Sequence, residues 1–457
     1  MADNPDTVLC RFVTRLPPQY TVPESSYAIP TDSTRLELSQ LINVLIGTEE
    51  QRPFDFLIDG VFLYASLADQ IALQGLRLED VIEVEYILAQ PPPTENVTLK
   101  VTDWVSTIIP DVDQTFQLSG GPISIAGTYD GSLTLFSFKP TEAMDDIVGT
   151  RLSAYKLFAT PAKAICVTQY QDRPLVAVGG YEGRVFCCSV SSDSNTLVGE
   201  LEYKPLESPI LSLASTKAGG LLAIGTADGH VYLHDTMKVS TIERHRPKRE
   251  EAAQEPFAKR AYTSQRIETE PERLNCAFGS HQRGSDQLIH PFMPNHEVNG
   301  LTITKDDACL AAGCSDGFIR VFDLRTKKPL THILHTSACQ CVKYMTTDVL
   351  AAGFHDNTLR LFDTRLSSPC VRTFVGHRAS VMCLDIKEDS FISGSLAGDL
   401  SMWDPRSPIA LWTIDCFYRA LDHKKDQSRL LACAFAKGPA ILHGGSDRHV
   451  TMRLLVQ

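Results

Sequence analysis

The chain has 457 residues, 43% of them hydrophobic, enough for a large core in two or three domains. Its net charge of −12, from 55 acidic and 43 basic residues, argues against a protein that acts mainly by neutralising nucleic-acid phosphates. The 13 cysteines form no CxxC pair and lie in apolar runs such as Cys187-Cys188, the pattern of buried reduced thiols in a reducing compartment.

In chain order, the N-terminal stretch MADNPDTVLC has no apolar signal core. Nowhere does an apolar run approach the roughly 18 residues needed to span a membrane. Thr7–Thr14 alternates as a strand, with Leu9 on one side and Cys10 and Phe12 offset from it. Leu38, Leu41, Ile42 and Leu45 have helical spacing, and Gly47 suits the end of that helix. Phe54–Ile58, the Asp59-Gly60 turn and Val61–Leu63 read as a hairpin. A short helix near Leu67–Leu73 follows, and Val81–Ile87 closes the unit with Ile82, Val84 and Tyr86 on one face. The order β, β, α, β, β, short helix, β is that of ubiquitin. We therefore expect a small α+β ubiquitin-like domain in residues 1–93, ending in the stiff linker Pro91-Pro92-Pro93.

The remainder repeats itself. A tight turn followed by a short strand recurs as GTYDGSLTLF, GGYEGRVFCC, GTADGHVYLH, GCSDGFIRVF, GFHDNTLRLF, GSLAGDLSMW and GGSDRHVTMR. The turn positions are Asp130, Glu182, Asp228, Asp316, Asp356, Ala397 and Asp447. Six residues after each lies the slot that WD repeats fill with Trp, here Phe136, Cys188, His234, Phe322, Phe362, Trp403 and Arg453. A single twisted four-stranded sheet cannot bury both faces, whereas a ring of sheets buries each against its neighbours. Residues 94–457 are thus expected to form a seven-bladed WD-repeat β-propeller, and the whole chain to be mainly β.

Three details refine this expectation. The last repeat, about His449–Leu455, nearly reaches Gln457, so Val97–Val101 is expected to supply the missing outer strand and close the ring. The long gap between Asp228 and Asp316 could hold an eighth blade. Its content, including ERHRPKREEAAQEPFAKR, instead predicts a charged, disordered insertion at 237–295. Finally, Gly376-His377 alone keeps the GH dipeptide of such repeats, and its blade lacks the turn Asp. Apolar packing is therefore expected to carry more of the stability than in a regular propeller.

The segments PFDFLIDG (53–60), Ser66-Leu67, GLRLED (75–80), VEYILAQPPP (84–93) and DWVSTI (103–108) resemble the WD-repeat subunits of the Pescadillo–Bop complex, which assembles the large ribosomal subunit. The resemblance covers nearly the whole chain. Notchless-type proteins share the ubiquitin-like domain but have eight blades, mostly with intact GH dipeptides, and fit less well. The resemblance implies a non-catalytic factor in maturation of the pre-60S particle and its rRNA, acting in the nucleus, in nucleolus and nucleoplasm. It implies a propeller docked on the Bop-type WD partner, which holds Pescadillo. It also implies a ubiquitin-like domain gripped by midasin, a giant AAA ATPase, for release from the particle.

On that resemblance Glu79 is the residue offered to a Mg²⁺ held by midasin, with Asp80 as its alternative; a carboxylate suits this hard cation. The chain would hold no metal or cofactor of its own. Asp130, Asp228, Asp316, Asp356, His377, Trp403 and Asp447 are expected to be structural residues of the blades. A rival reading is a substrate receptor of a cullin-type ubiquitin ligase. It rests on Asp323-Leu324-Arg325, Asp363-Thr364-Arg365 and Asp404-Pro405-Arg406 after the Trp slot, where an Arg can equally pair with nearby acids. No GxxxxGK[ST] loop or HExxH motif supports an enzyme. The basic run Arg244–Arg249 reads as solvated loop, a nuclear signal or an rRNA contact. Membrane and DNA are not expected partners.

Overall fold

The computed structural model describes residues 7–455 except 48–50, 78, 113–115, 117–122, 141–146, 171–172, 192–195, 204–205, 218–219, 237–241, 245–261, 268–270, 275–295, 408, 418–427 and 437. The chain divides into two compact units, the first of residues up to Pro91 together with Asp404–Ser407 and the second of the rest.

The first unit contains β1 (Thr7–Val13), β2 (Ser26–Pro30), α1 (Arg35–Ile46), β3 (Phe54–Ile58), β4 (Val61–Phe62), α2 (Leu67–Gln74) and β5 (Ile82–Leu88). Its sheet has the order β2-β1-β5-β3-β4, with β1 and β5 parallel at the centre. The alternation in β1 works as expected: Val8, Cys10 and Phe12 are buried, while Leu9 faces solvent. Each helix is bounded by its own sequence. The Glu37 carboxylate accepts from the Thr34 N–H at 2.8 Å, and the Ser66 hydroxyl accepts from the Asp69 N–H at 3.2 Å. Gly47 and Gly75 end the helices at φ 72° and 68°, a left-handed conformation costly for other residues. Phe12, Phe54, Phe56 and Tyr86 fill the core, Phe54 meeting Tyr86 edge-on at 5.7 Å. The Tyr86 hydroxyl is satisfied inside that core, donating to the Tyr20 carbonyl at 2.7 Å and accepting from the Val22 N–H at 3.1 Å.

The second unit is a ring of sheets. Its inner strands are Val105–Ile109, Ala162–Tyr170, Ile210–Ser215, Val298–Ile303, Cys339–Tyr344, Val381–Lys387 and Leu430–Ala436. Each touches the next, and the seventh touches the first. Among the described residues this gives seven sheets around a central cavity of about 540 Å³, lined by all seven inner strands. Ring closure follows the sequence expectation. Thr94–Lys100 pairs antiparallel with His449–Leu454, from Thr94 opposite Leu454 to Lys100 opposite His449. Apolar seams between neighbouring sheets form the core. The seam between the last and first sheets, for instance, holds Val105, Phe136, Phe138, Leu442 and Val450. The residues in the Trp slot are all buried, from Phe136 to Arg453.

The insertion at 237–295 departs from the expectation of an unstructured loop. Much of it lies outside the described residues, including nearly all of the basic run 244–249. Within it, however, Tyr262–Ile267 adds in parallel to the outer strand Thr196–Tyr203 of blade two, and Ile242–Arg244 pairs antiparallel with it. Glu272–Arg273 then completes blade three. An open sheet edge offers unpaired N–H and C=O groups, and these captured segments that composition alone marked as loop.

Candidate functional site

Glu79 lies in the short connection from α2 to β5. Two backbone hydrogen bonds flank it. The Leu76 N–H bonds the Ile71 carbonyl at 3.0 Å, so the helix ends firmly at Gly75, and the Asp80 N–H bonds the Arg77 carbonyl at 3.3 Å. Beyond it β5 is the central strand, bonded on both sides. Glu79 and Asp80 are both exposed. Among the described residues, no hydrogen bond or ion pair engages either carboxylate. Among the described residues the connection thus presents two exposed, hard oxygen donors next to each other in the chain. Such donors fit a divalent cation held by another molecule.

The blade residues sit apart, each in its own sheet, where the turn acids act alike. Asp130, Asp316, Asp356 and Asp447 each accept from the backbone N–H two residues on, at 3.1, 3.0, 3.1 and 3.3 Å, which closes the turn locally. Asp228 instead holds Thr226 and His230, the latter at 2.9 Å. Asp316 also grips Arg320 through both carboxylate oxygens, at 3.1 and 2.6 Å. Burial by itself would raise the carboxyls of Asp130, Asp228 and Asp356, but their hydrogen bonds outweigh it and hold all three below the usual range.

His377 and Trp403 are brought together. Both bond the Ser393 hydroxyl, His377 Nε2 at 2.6 Å and the indole N–H at 2.8 Å. The acid of this network is Asp399, 1% exposed, which binds His377 Nδ1 and accepts from Ser395 at 2.6 Å. Blade six lacks the turn Asp, as the sequence reading had it, yet still holds an acid. The acid enters from two residues beyond the regular position, now Ala397. Blade five hides a second example: His335, preceded by Leu334 and not Gly, bonds Asp356 at 2.8 Å. Its signal was present as a His one repeat before His377. In these two blades a His–Asp pair accompanies the apolar seams. Blade seven takes another course. Buried Arg453 occupies the Trp slot and donates to His443 Nε2 at 2.9 Å.

The three Asp-x-Arg turns are mostly self-contained. Arg365 and Arg406 each fold back on Asp363 and Asp404 with two bonds, at 3.0 and 2.7 Å and at 3.0 and 2.8 Å. Asp323 accepts from the Arg325 backbone N–H at 2.8 Å. Among the described residues no group of three or more His, Cys, Asp or Glu side chains could hold a metal ion, and no helix is long and apolar enough to cross a membrane.

Comparison with known proteins bears on both units. Residues 8–71 match the NLE (NUC135) domain, and residues 287–323 and 368–404 match the WD domain, G-beta repeat. A ribosome biogenesis protein WDR12 homolog of Arabidopsis thaliana is 25% identical over 96% of this chain and 95% of its own length. The ribosome biogenesis protein YTM1 of Eremothecium gossypii is 24% identical over 98% of both chains. The chain is an NLE-domain WD40-repeat protein whose homologues over most of its length are named ribosome biogenesis proteins WDR12 or YTM1. A WDR12 homolog of Chlamydomonas reinhardtii is 41% identical to this NLE–WD40 protein, over 28% of the chain and 30% of the relative. The WD40 β-propeller domain of Doa1, at 14% identity, covers 79% of the chain and 96% of that domain with a TM-score of 0.55, a likeness of fold.

Proposed function

We propose that this ribosome biogenesis factor is a non-catalytic component of large-subunit assembly, acting in the nucleolus and nucleoplasm, with its two units doing separate work. The propeller docks on a Bop-type WD partner that holds Pescadillo on the pre-60S particle. The ubiquitin-like unit is the handle by which midasin removes the factor, and Glu79 completes the coordination of a Mg²⁺ that midasin holds. The observation that carries this reading is the full-length similarity to ribosome biogenesis proteins. The exposed carboxylate of Glu79, in the connection from α2 to β5, supports the second half. The ligase-receptor alternative is not favoured, since two of its three arginines are already spent on their own acids.

The test is titration of the midasin metal-site domain with this protein, in Mg²⁺ and in EDTA. Loss of one partner of a desolvated charge contact costs about 2–5 kcal/mol, or roughly 30- to 5,000-fold in affinity. Glu79→Ala should show that loss, with Glu79→Gln and Glu79→Asp between it and the parent. Folding should not change, because the residue supports none of the core. Unchanged binding by Glu79→Ala, or binding indifferent to EDTA, would turn attention to Asp80 or away from the metal.

A further inference from the structure

Four serines or threonines in the chain directly precede a proline: Thr160, Ser208, Ser368 and Ser407. The fold treats them differently. Ser407 is fully buried, and the Thr160 hydroxyl is buried as well. Ser208 is half-buried, and its hydroxyl accepts from the Asp228 N–H at 3.1 Å. Of the four, Ser368 is the exposed one. Among the described residues no hydrogen bond engages its hydroxyl or that of Ser367.

Ser368 lies in the hairpin that joins Thr358–Asp363 to the outer strand Cys370–Val375 of blade five. The hairpin is closed at its base, where the Asp363 N–H donates to the Pro369 carbonyl at 2.8 Å. Its tip is looser. Arg365, Leu366, Ser367 and Ser368 are all exposed, and among the described residues no main-chain hydrogen bond engages the N–H of Ser367 or Ser368. The corresponding hairpin of blade four shows the contrast: its Thr326 hydroxyl donates to Asp323 at 2.9 Å. A protein kinase takes its serine from a segment laid out along the kinase cleft, and a tip with few internal bonds yields such a segment at little cost. Pro369 marks the site further, with a fixed φ and a missing N–H directly after the serine. Arg365, three residues before Ser368, supplies a cation. Its Nε and Nη2 bond Asp363 at 3.0 and 2.7 Å, while its Nη1 lies 3.8 Å from Asp348. The Nη1 contact is the longest of the three, so it is the donor most readily given over to a phosphate.

We infer that Ser368 is a phosphorylation site for a proline-directed protein kinase, and that Arg365 meets the phosphate. In the transfer the Ser368 Oγ forms a bond to the γ-phosphorus of ATP, the bond from that phosphorus to the bridging β-oxygen breaks, ADP leaves, and the hydroxyl proton passes to the kinase's base. The product carries about two added negative charges at neutral pH. This goes beyond the function proposed above and does not depend on it.

The experiment incubates the native full-length chain with ATP and a cyclin-dependent kinase and locates the phosphate by tandem mass spectrometry. One phosphate should enter, on Ser368, with Thr160, Ser208 and Ser407 unmodified. Ser368→Ala should lower incorporation at least tenfold while thermal melting stays at that of the parent. The second measurement follows the phosphorus NMR signal of the phosphorylated chain against pH. The second ionisation of a phosphoserine falls at about pH 6. Arg365 should lower it by about 0.3 unit or more relative to the phosphorylated Arg365→Gln variant, with Arg365→Lys between the two. No incorporation into the native chain, phosphate on Ser367, or entry at Thr160 or Ser208 to the same extent as at Ser368 would overturn the site. Equal ionisation in the parent and in Arg365→Gln would overturn the pairing.

Discussion

Replacing Asp399 by Ala tests whether blade six is held by its displaced acid. The carboxylate is 1% exposed, binds His377 Nδ1, accepts from Ser395 at 2.6 Å and lies 3.5 Å from the Arg378 guanidinium. Burial would raise its pKa, yet the bonds from His377 and Ser395, with Arg378 nearby, hold it below the usual range, so it is charged at neutral pH. Removing it leaves a buried imidazole nitrogen and a buried hydroxyl without their acceptor. Breaking such a pair from one side costs about 3–5 kcal/mol. With an unfolding entropy of about 2.1 cal/mol/K per residue over about 360 residues, that is a fall in melting temperature of about 4–7 °C. Asp399→Asn keeps an acceptor and should cost about 1–3 kcal/mol. Calorimetry of both variants, with His377→Ala and the double variant, completes a cycle whose coupling should exceed about 1 kcal/mol. The depressed carboxyl also sets a direction: its contribution is present above the unfolded carboxylate pKa near 4 and is lost as pH falls through the lower folded value. A melting temperature within 1 °C of the parent for Asp399→Ala, or strictly additive single effects, would refute this account.

Three further outcomes follow from other parts of the molecule. Deleting residues 94–100 removes the strand paired to His449–Leu454, so the propeller should lose its cooperative melt and its solubility; a sharp transition in the soluble deletion would contradict the closure. Burial, with Arg453 beside it, pushes His443 down to about 3. The unfolded chain takes up this proton near pH 6.5 and the folded chain does not, so stability should fall by about 1.4 kcal/mol per unit as pH drops from 6.5 toward 3. Urea midpoints at pH 7.0, 5.5 and 4.5 should show a shallower slope for His443→Gln, which keeps an acceptor for Arg453. Residues 92–457 without the NLE unit should fold and retain binding to the Bop-type partner while failing to leave the pre-60S particle, which co-purification would reveal.

Much of this architecture was legible because it is written at fixed spacing. Seven turns, each followed six residues later by a buried slot, require only that residues be counted. Closure by the strand before the first blade was expected too, and Thr94–Lys100 pairs with His449–Leu454. The polar networks were less so. Asp399 reaches His377 from two residues past the regular place, and His335 acts without its glycine. A hydrogen bond requires a donor and acceptor close in space, and two positions on a turn can satisfy it equally well. The strands within 237–295 were hidden for a related reason. Their pairing depends on the open edge of blade two, which is distant from them in the sequence. Glu79 is the opposite case: its exposure was readable, whereas its singling out among ordinary surface acids came from resemblance.

The strand that closes the ring is also the first the chain reaches after the ubiquitin-like unit, for β5 ends at Leu88 and the closing strand begins at Thr94. The handle is therefore tied to the latch. Along the chain, residues 89–93 lead from the N-terminal unit to the pair of Thr94 and Leu454, the beginning of the seam that joins the two ends of the propeller. On the proposed reading, a machine that pulls on this unit draws along the chain on the fastening of the ring, so the resistance of that short antiparallel seam bears on how much force the propeller can transmit while remaining closed.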